Sequence, residues 1–207
     1  MKDLSIGVIG SGMQGYAIGS SLAQAGFTLM FAARDLEALK RKVADLPRAK
    51  VATPLATAQF ADVIILALPY SAFEALAPTL LPSLQGKLVL DATNTDPSNP
   101  EIIEQDQGNV ARYSQQLLPG VKYVRAFSSV DFYQIVDSYQ RGGINPLAIP
   151  IASDNSLALE QAKALISALH AEPVATSLEQ AVKFQRGGVA FRVHTTGKKM
   201  RELLGVK

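Results

Sequence analysis

The residues of this chain with the most capacity for chemistry are glycines and one arginine, not acids and bases. Gly10-Ser11-Gly12-Met13-Gln14-Gly15 spells G-x-G-x-x-G directly after the apolar run Leu4 to Ile9 and ahead of a segment with helical spacing. In that setting Gly10 permits a tight turn, Gly12 lets the backbone approach a pyrophosphate, and Gly15 allows close helix–strand packing. The amides at the helix start then face a phosphate with the positive end of the helix dipole. A glycine-rich turn without a ligand has the same spelling, but strand before and helix after favour dinucleotide binding. About 20 residues further on, an NAD site presents an acidic side chain to the ribose 2′-hydroxyl. Here the second strand ends Ala33-Arg34-Asp35. Arg34 stands where a guanidinium clamps a 2′-phosphate, and Asp35 comes one place late and suits a helix cap equally well. The expected cofactor is therefore NADP(H), with Lys40 or Arg41 adding positive charge.

Ligands in open α/β sheets bind beyond the carboxyl ends of strands, so two further strand ends belong to the same cleft. These are Leu68-Pro69-Tyr70 and Ala92-Thr93-Asn94, whose plainer readings are a strand-terminating proline and an Asx turn. General acids and bases are scarce. His170 ends a helix and reads as a partly solvated cap; His194 sits in the tail. No pair of residues has metal-ligand spacing, and no metal is expected.

These residues are positioned by an alternation of apolar runs and helical periodicity, which predicts an α/β Rossmann-type fold: a doubly wound, mainly parallel sheet with helices on both faces. Expected strands are Leu4 to Ile9, Phe27 to Ala32, a weaker one near Lys50-Val51-Ala52, Asp62 to Leu68, Lys87 to Leu90, Lys122 to Phe127, Leu147 to Ala152 and a short Val174-Ala175. Helices are expected from the glycines to Ala25, over Leu36 to Ala44, from Tyr70, around Val110 to Leu118, and from Ser156 to Leu169 with Asp154 as N-cap. Thr95 to Pro100 is turn chemistry around Asp96-Pro97-Ser98-Asn99. Residues 1–207 read as one domain, with 176–207 a short helical tail broken at Arg186-Gly187-Gly188. Its apolar Val189, Phe191, Val193, Leu203 and Leu204 need burial, which a homodimer interface would give.

Composition narrows the classes. At 48% hydrophobic and 18% charged residues, the chain has the make-up of a protein with a sizeable core. A net charge of +2 gives no footprint for nucleic acid, and Arg141-Gly142-Gly143 with its second copy at Arg186 reads as two loops. No cysteine is present, so thiolate nucleophiles, thiolate metal sites and disulfides are excluded. The first apolar run ends at Gly10, too short for a secretory signal, and no stretch approaches the roughly 20 apolar residues that span a bilayer. A cytoplasmic protein without a membrane partner is expected.

In order along the chain, Gly7-Val8-Ile9-Gly10-Ser11-Gly12, Ala33-Arg34-Asp35, Ala67-Leu68-Pro69, Asp91-Ala92-Thr93-Asn94, Val124-Arg125-Ala126-Phe127-Ser128-Ser129 and Pro150-Ile151-Ala152-Ser153-Asp154 resemble the NADP oxidoreductases that depend on the deazaflavin coenzyme F420. The set also resembles the cytosolic domain of the STEAP metalloreductases. The resemblance covers most of the chain to about Thr176 and implies NADP(H) in the cleft, a flavin or deazaflavin ring stacked on its nicotinamide, and a homodimer. It places the second substrate at Phe127, Ser128 and Ser129. Two positions depart from the pattern: Ala33 stands where the family commonly has Ser or Thr, and Ser128 where it often has Asn or His. Hydride transfer to such an acceptor needs mainly proximity and stacking. A reductase of a small imine or keto acid is the competing enzyme class. It would require a catalytic Lys or His, for which Lys183 is the candidate, and a large helical domain for which little chain remains after residue 145. A non-enzymatic NADP-binding sensor is the third class.

Overall fold

The computed structural model describes residues 4–95 and 108–207. The turn expected over Asp96-Pro97-Ser98-Asn99 lies outside the described residues. Apolar runs and amphipathic segments alternate as β1 (Ser5–Ile9), α1 (Met13–Gln24), β2 (Thr28–Ala32), α2 (Leu36–Val43), β3 (Ala49–Ala52), α3 (Pro54–Phe60), β4 (Val63–Leu66), α4 (Tyr70–Leu84) and β5 (Leu88–Asp91). They continue as α5 (Val110–Gln116), β6 (Lys122–Ala126), α6 (Phe132–Gln140), β7 (Ala148–Ala152), α7 (Ser156–Ser167) and β8 (Glu172–Thr176). A 3-10 helix (Leu178–Lys183) and α8 (Gly197–Leu204) complete the tail.

The strands form one sheet in the order β3-β2-β1-β4-β5-β6-β7-β8. All neighbours are parallel except β6 and β7, which run antiparallel with Arg125 opposite Ala152. Sheets of this kind are covered by helices on both faces, and their central strands are apolar throughout for that reason. Val63–Leu66 and Leu88–Asp91 are buried at every residue. One core layer gathers Ile18 and Leu22 of α1 with Leu165 and Ile166 of α7; the other gathers Phe73 and Leu80 of α4 with Phe184 and Leu204 of the tail. The chain order reverses between β1 and β4, which opens a crevice beyond their carboxyl ends.

Two helices went unread in the sequence. α3 is a short helix that begins with Thr53 as cap and Pro54 in its first turn; the Thr53 hydroxyl accepts from Ala56 N–H. α6 buries Ile135 and Ser138 and leaves Phe132 and Tyr133 exposed. The cap of α7 is also corrected. Asn155 accepts from Ala158 N–H, while Asp154 accepts from Leu178 N–H and anchors the tail.

The tail folds onto its own sheet. Leu204 and Met200 are fully buried and Leu203 is half-buried against the same layer, so their need for burial is met within the chain; Val189 stays exposed. Leu204→Ala should therefore destabilise the protein by about 2–5 kcal/mol in urea denaturation, the range for truncating a buried leucine. A loss under about 0.5 kcal/mol, the range of surface substitutions, would show that the tail is only loosely attached.

Candidate active site at the carboxyl ends of the strands

The glycine turn is built as its spacing requires, with a separate reason for each glycine. Gly10 has φ +97°, and its N–H donates to Ala32 O at 3.0 Å, which ties β1 to the end of β2. A Cβ on Gly10 would lie 2.4 Å from Ala67 O, and one on Gly15 would lie inside the Gly10 carbonyl. A Cβ on Gly12 would meet no atom within 4 Å. Gly12 faces open space at the start of α1, where no side chain caps the helix. The first amides of a helix have no intrahelical partner, so this gap is lined by free N–H donors at the positive end of the dipole. The fit to a pyrophosphate is direct.

The Ser11 hydroxyl is committed elsewhere, donating to Ala32 O at 3.2 Å. A cation that the sequence reading did not name stands beside the turn. Lys40 pairs with Glu37, and it is Lys42 whose Nζ donates to Ser11 O at 2.8 Å while lying 4.5 Å above the Tyr16 ring. Burial lowers its pKa from the usual lysine value. Lys42 adjoins Leu39 and Val43, the buried stripe of α2, and that adjacency was the available signal. Ala33 is half-buried, and Arg34 lies exposed two residues past the Ala32 carbonyl that holds the turn. Asp35 takes the helix cap, accepting from Ala38 N–H at 2.9 Å.

An open cleft of about 470 Å³ runs from Met13 and Gln14 past Ala67, Leu68, Ala92 and Asn94 to Phe127 and Ser128. Gln14 fixes one wall: its Nε2 donates to Phe127 O at 2.8 Å and to Val130 O at 3.1 Å. Phe127 is buried with φ +62°, a left-handed conformation that a bulky residue holds only where its surroundings enforce it. The hydroxyls of Ser128 and Ser129 are buried without a hydrogen-bond partner among the described residues. Asn94 Nδ2 donates to Ser128 O at 2.7 Å.

Pro69 precedes α4 as its cap residue, and the Tyr70 side chain points into the core. Its hydroxyl shares a 2.7 Å hydrogen bond with Ser114, and burial raises its pKa. Thr93 is likewise buried, donating to Asp91. Thus Leu68, Ala92 and Asn94 reach the cleft with the glycine turn and the Phe127–Ser128 corner, while Tyr70 and Thr93 face inward.

Beneath the cleft lies a buried ion pair that the sequence did not disclose. Arg125 Nη1 is 2.7 Å from Asp91 Oδ2, and both side chains are almost fully inaccessible. The same carboxylate accepts from Tyr123 Oη at 2.6 Å and from the Thr93 hydroxyl and amide at 2.7 and 2.9 Å. Burial acts most strongly on Arg125 and works to lower its pKa, but Asp91, Tyr123 and Tyr70 together raise it and the net shift is upward. Burial, reinforced by Asp91, pushes Tyr123 well above the ordinary phenol value.

The far wall was also missed, because the tail supplies it. Arg186, Phe191 and Arg192 line the cleft opposite Met13, together with Asp131, Phe132 and Tyr133. Arg192 N–H donates to Ser129 O at 2.8 Å, and its guanidinium grips Asp131. His194 stands behind this pair, its Nε2 accepting from Asp131 N–H at 3.2 Å. His170 lies away from the cleft, stacked on Tyr139. Lys183 donates to Leu204 O at the end of α8, a structural position and not a catalytic one. Among the described residues no group of three or more His, Cys, Asp or Glu is placed to hold a metal, and no helix is long and apolar enough to cross a membrane.

Residues 5–95 match the family described as NADP oxidoreductase, coenzyme F420-dependent. Among solved structures, the chain is similar to protein SMa0349 of Sinorhizobium meliloti, with TM-score 0.79 and 25% identity over 93% of this chain and 95% of that one. A protein assigned as an F420-dependent NADP reductase of Arthrobacter sp. FB24 aligns with TM-score 0.71 and 19% identity, over 86% of this chain and 87% of its own. The imine reductase of Myxococcus stipitatus in complex with NADP+ aligns over 97% of this chain but 60% of its own, with TM-score 0.65 and 20% identity. The last two likenesses speak for the fold.

Removing one partner of the buried pair leaves an uncompensated charge. Arg125→Met should cost about 3–5 kcal/mol in chemical denaturation, and adding Asp91→Asn should recover part of that loss. No recovery in the double variant would show that the two groups are not coupled.

Proposed function

We propose that this chain, an NADP-dependent oxidoreductase that carries across residues 5–95 the sequence of the coenzyme F420-dependent family, transfers hydride between NADPH and a flavin or deazaflavin acceptor. The observation that carries the cofactor half is Gly12, whose missing side chain opens onto empty space at an uncapped helix start. The pyrophosphate is assigned to the turn Gly10 to Gly15, with Gly10 and Gly15 holding its shape. Arg34 is assigned to the 2′-phosphate. The nicotinamide half is assigned to Leu68, Ala92 and Asn94, and the second substrate to the adjoining Phe127–Ser129 corner.

NADPH, when bound, supplies the hydride. The protein orients and shields. Gln14 and Asn94 pin the β6–α6 corner from two sides, and Phe132, Tyr133 and Phe191 offer an aromatic slot to a second flat ring. Among the described residues the acid–base groups of that wall are engaged: Asp131 is held by Arg192 and His194, and the Tyr133 hydroxyl donates to Asp131. Hydride transfer between stacked rings asks for proximity and orientation, which this wall is suited to give.

Arg34→Ala tests the cofactor assignment. It should weaken NADPH binding by about 1.5–3 kcal/mol, as for a hydrogen bond to a charged group, and leave NADH nearly unchanged. Equal losses for both nucleotides, measured by titration, would sink it. NADPH oxidation followed with FMN, FAD, riboflavin, the deazaflavin F420 and a cyclic imine tests the acceptor class. Steady turnover with a flavin or deazaflavin supports the reading, turnover with the imine alone transfers it to the imine-reductase class, and tight NADPH binding without turnover favours a sensor.

A further inference from the structure

We infer that Gln14 is a positioning residue that carries nucleotide occupancy of the glycine turn to the β6–α6 corner, so that the wall facing the second substrate tightens once NADP(H) is seated. The inference rests on the cofactor reading above. The successive carbonyls from Phe127 to Val130 each accept a hydrogen bond from outside the corner. Gln14 Nε2 donates to those of Phe127 and Val130 at 2.8 and 3.1 Å, Asn94 Nδ2 to that of Ser128 at 2.7 Å, and Arg192 N–H to that of Ser129 at 2.8 Å. A primary amide carries two N–H donors, so one Gln14 side chain satisfies two carbonyls; turned over, its oxygen would face two oxygens. The backbone so held is left-handed at Phe127, with φ +62°, and stays there only while its surroundings enforce it.

Of the three holds, that of Gln14 comes from the element to which the pyrophosphate is assigned. Gln14 is the second residue of α1, whose start has no side-chain cap and whose first backbone bond runs from Tyr16 N–H to Gly12 O. Uncapped first turns fray, because their amides have no intrahelical partner. A pyrophosphate on those amides acts as the missing cap and fixes the Gln14 backbone, and with it the reach of the side-chain amide to the corner. Nucleotide binding and order at the corner are then linked, and each favours the other. The path is short: Gln14, Phe127 and Val130 line one cleft. Asn94 and Arg192 hold the same corner from beyond β5 and from the tail.

The test is amide hydrogen exchange of the full chain, followed by mass spectrometry on peptides covering residues 127–134, without nucleotide and at saturating NADP+. In the wild-type protein NADP+ should slow exchange of this segment about 5- to 50-fold, within the usual range of coupling between sites. Gln14→Met keeps the length of the side chain and removes both donors. It should abolish the NADP+-dependent slowing while exchange of β4 and β5 stays as in the wild type, which reports an intact sheet. Gln14→Lys, which restores N–H donors on a longer chain, should recover part of the slowing. A wild-type segment indifferent to bound NADP+ overturns the inference and leaves the hydride-transfer reading standing. So does a slowing that survives in Gln14→Met, whether or not the corner exchanges faster throughout, since Gln14 would then be a purely structural hold. A Gln14→Met protein that no longer binds NADP+ also overturns it, because the side chain would belong to the nucleotide site itself. Failure of the wild-type protein to bind NADP+ overturns the cofactor reading and the inference together.

Discussion

The cleft depends on one buried electrostatic contact, the pair between Asp91 and Arg125. These residues face each other in the register of β5 and β6, at the strand ends where the site begins. Taking both charges out of water costs several kcal/mol per ion, and mutual attraction repays this only if the remaining polar atoms are also satisfied. Here they are: Tyr123 and Thr93 complete the shell of the carboxylate. A pair of this kind contributes little net stability compared with an apolar core. Its geometric demand is strict, since any slip of β6 against β5 would strand a charge.

That demand propagates outward. Arg125 Nη2 lies 3.5 Å from Asn94 Oδ1, and the Asn94 amide holds the Ser128 carbonyl. Gln14 holds the carbonyl of Phe127, next door, from the α1 side. The left-handed backbone at Phe127 is thus clamped from two directions, as a strained residue must be. The tail closes the arrangement through Arg192, whose amide bonds Ser129 and whose guanidinium bonds Asp131. Core ion pair, strained corner and tail form one connected support.

Much of this was legible in the sequence because it depends on local rules. The glycine turn, the strand ends and the mainly parallel sheet follow from periodicity and from a motif read in its setting. What stayed hidden depends on pairing across the chain. Asp91 and Arg125 stand in separate strands, and only the register shows that they meet. Phe132 and Tyr133 are apolar residues of a helix, yet they face the cleft and not the core, which their spacing alone does not show. The tail reads as unattached apolar sequence until the antiparallel turn of β7 brings it back over the site. Lys42 was missed because the rotation of α2 about its buried stripe, not the charge count, decides which cation meets the turn.

The difference among the three glycines bears on how this chain can change. At Gly10 and Gly15 a side chain collides with backbone, so those positions are bound to the survival of the fold. At Gly12 it collides with nothing among the described residues. The position is silent to folding and is answerable only to whatever occupies the gap. Mutational drift at that residue can detach nucleotide binding from architecture in a single step, leaving an intact sheet and core free to be recruited for another task.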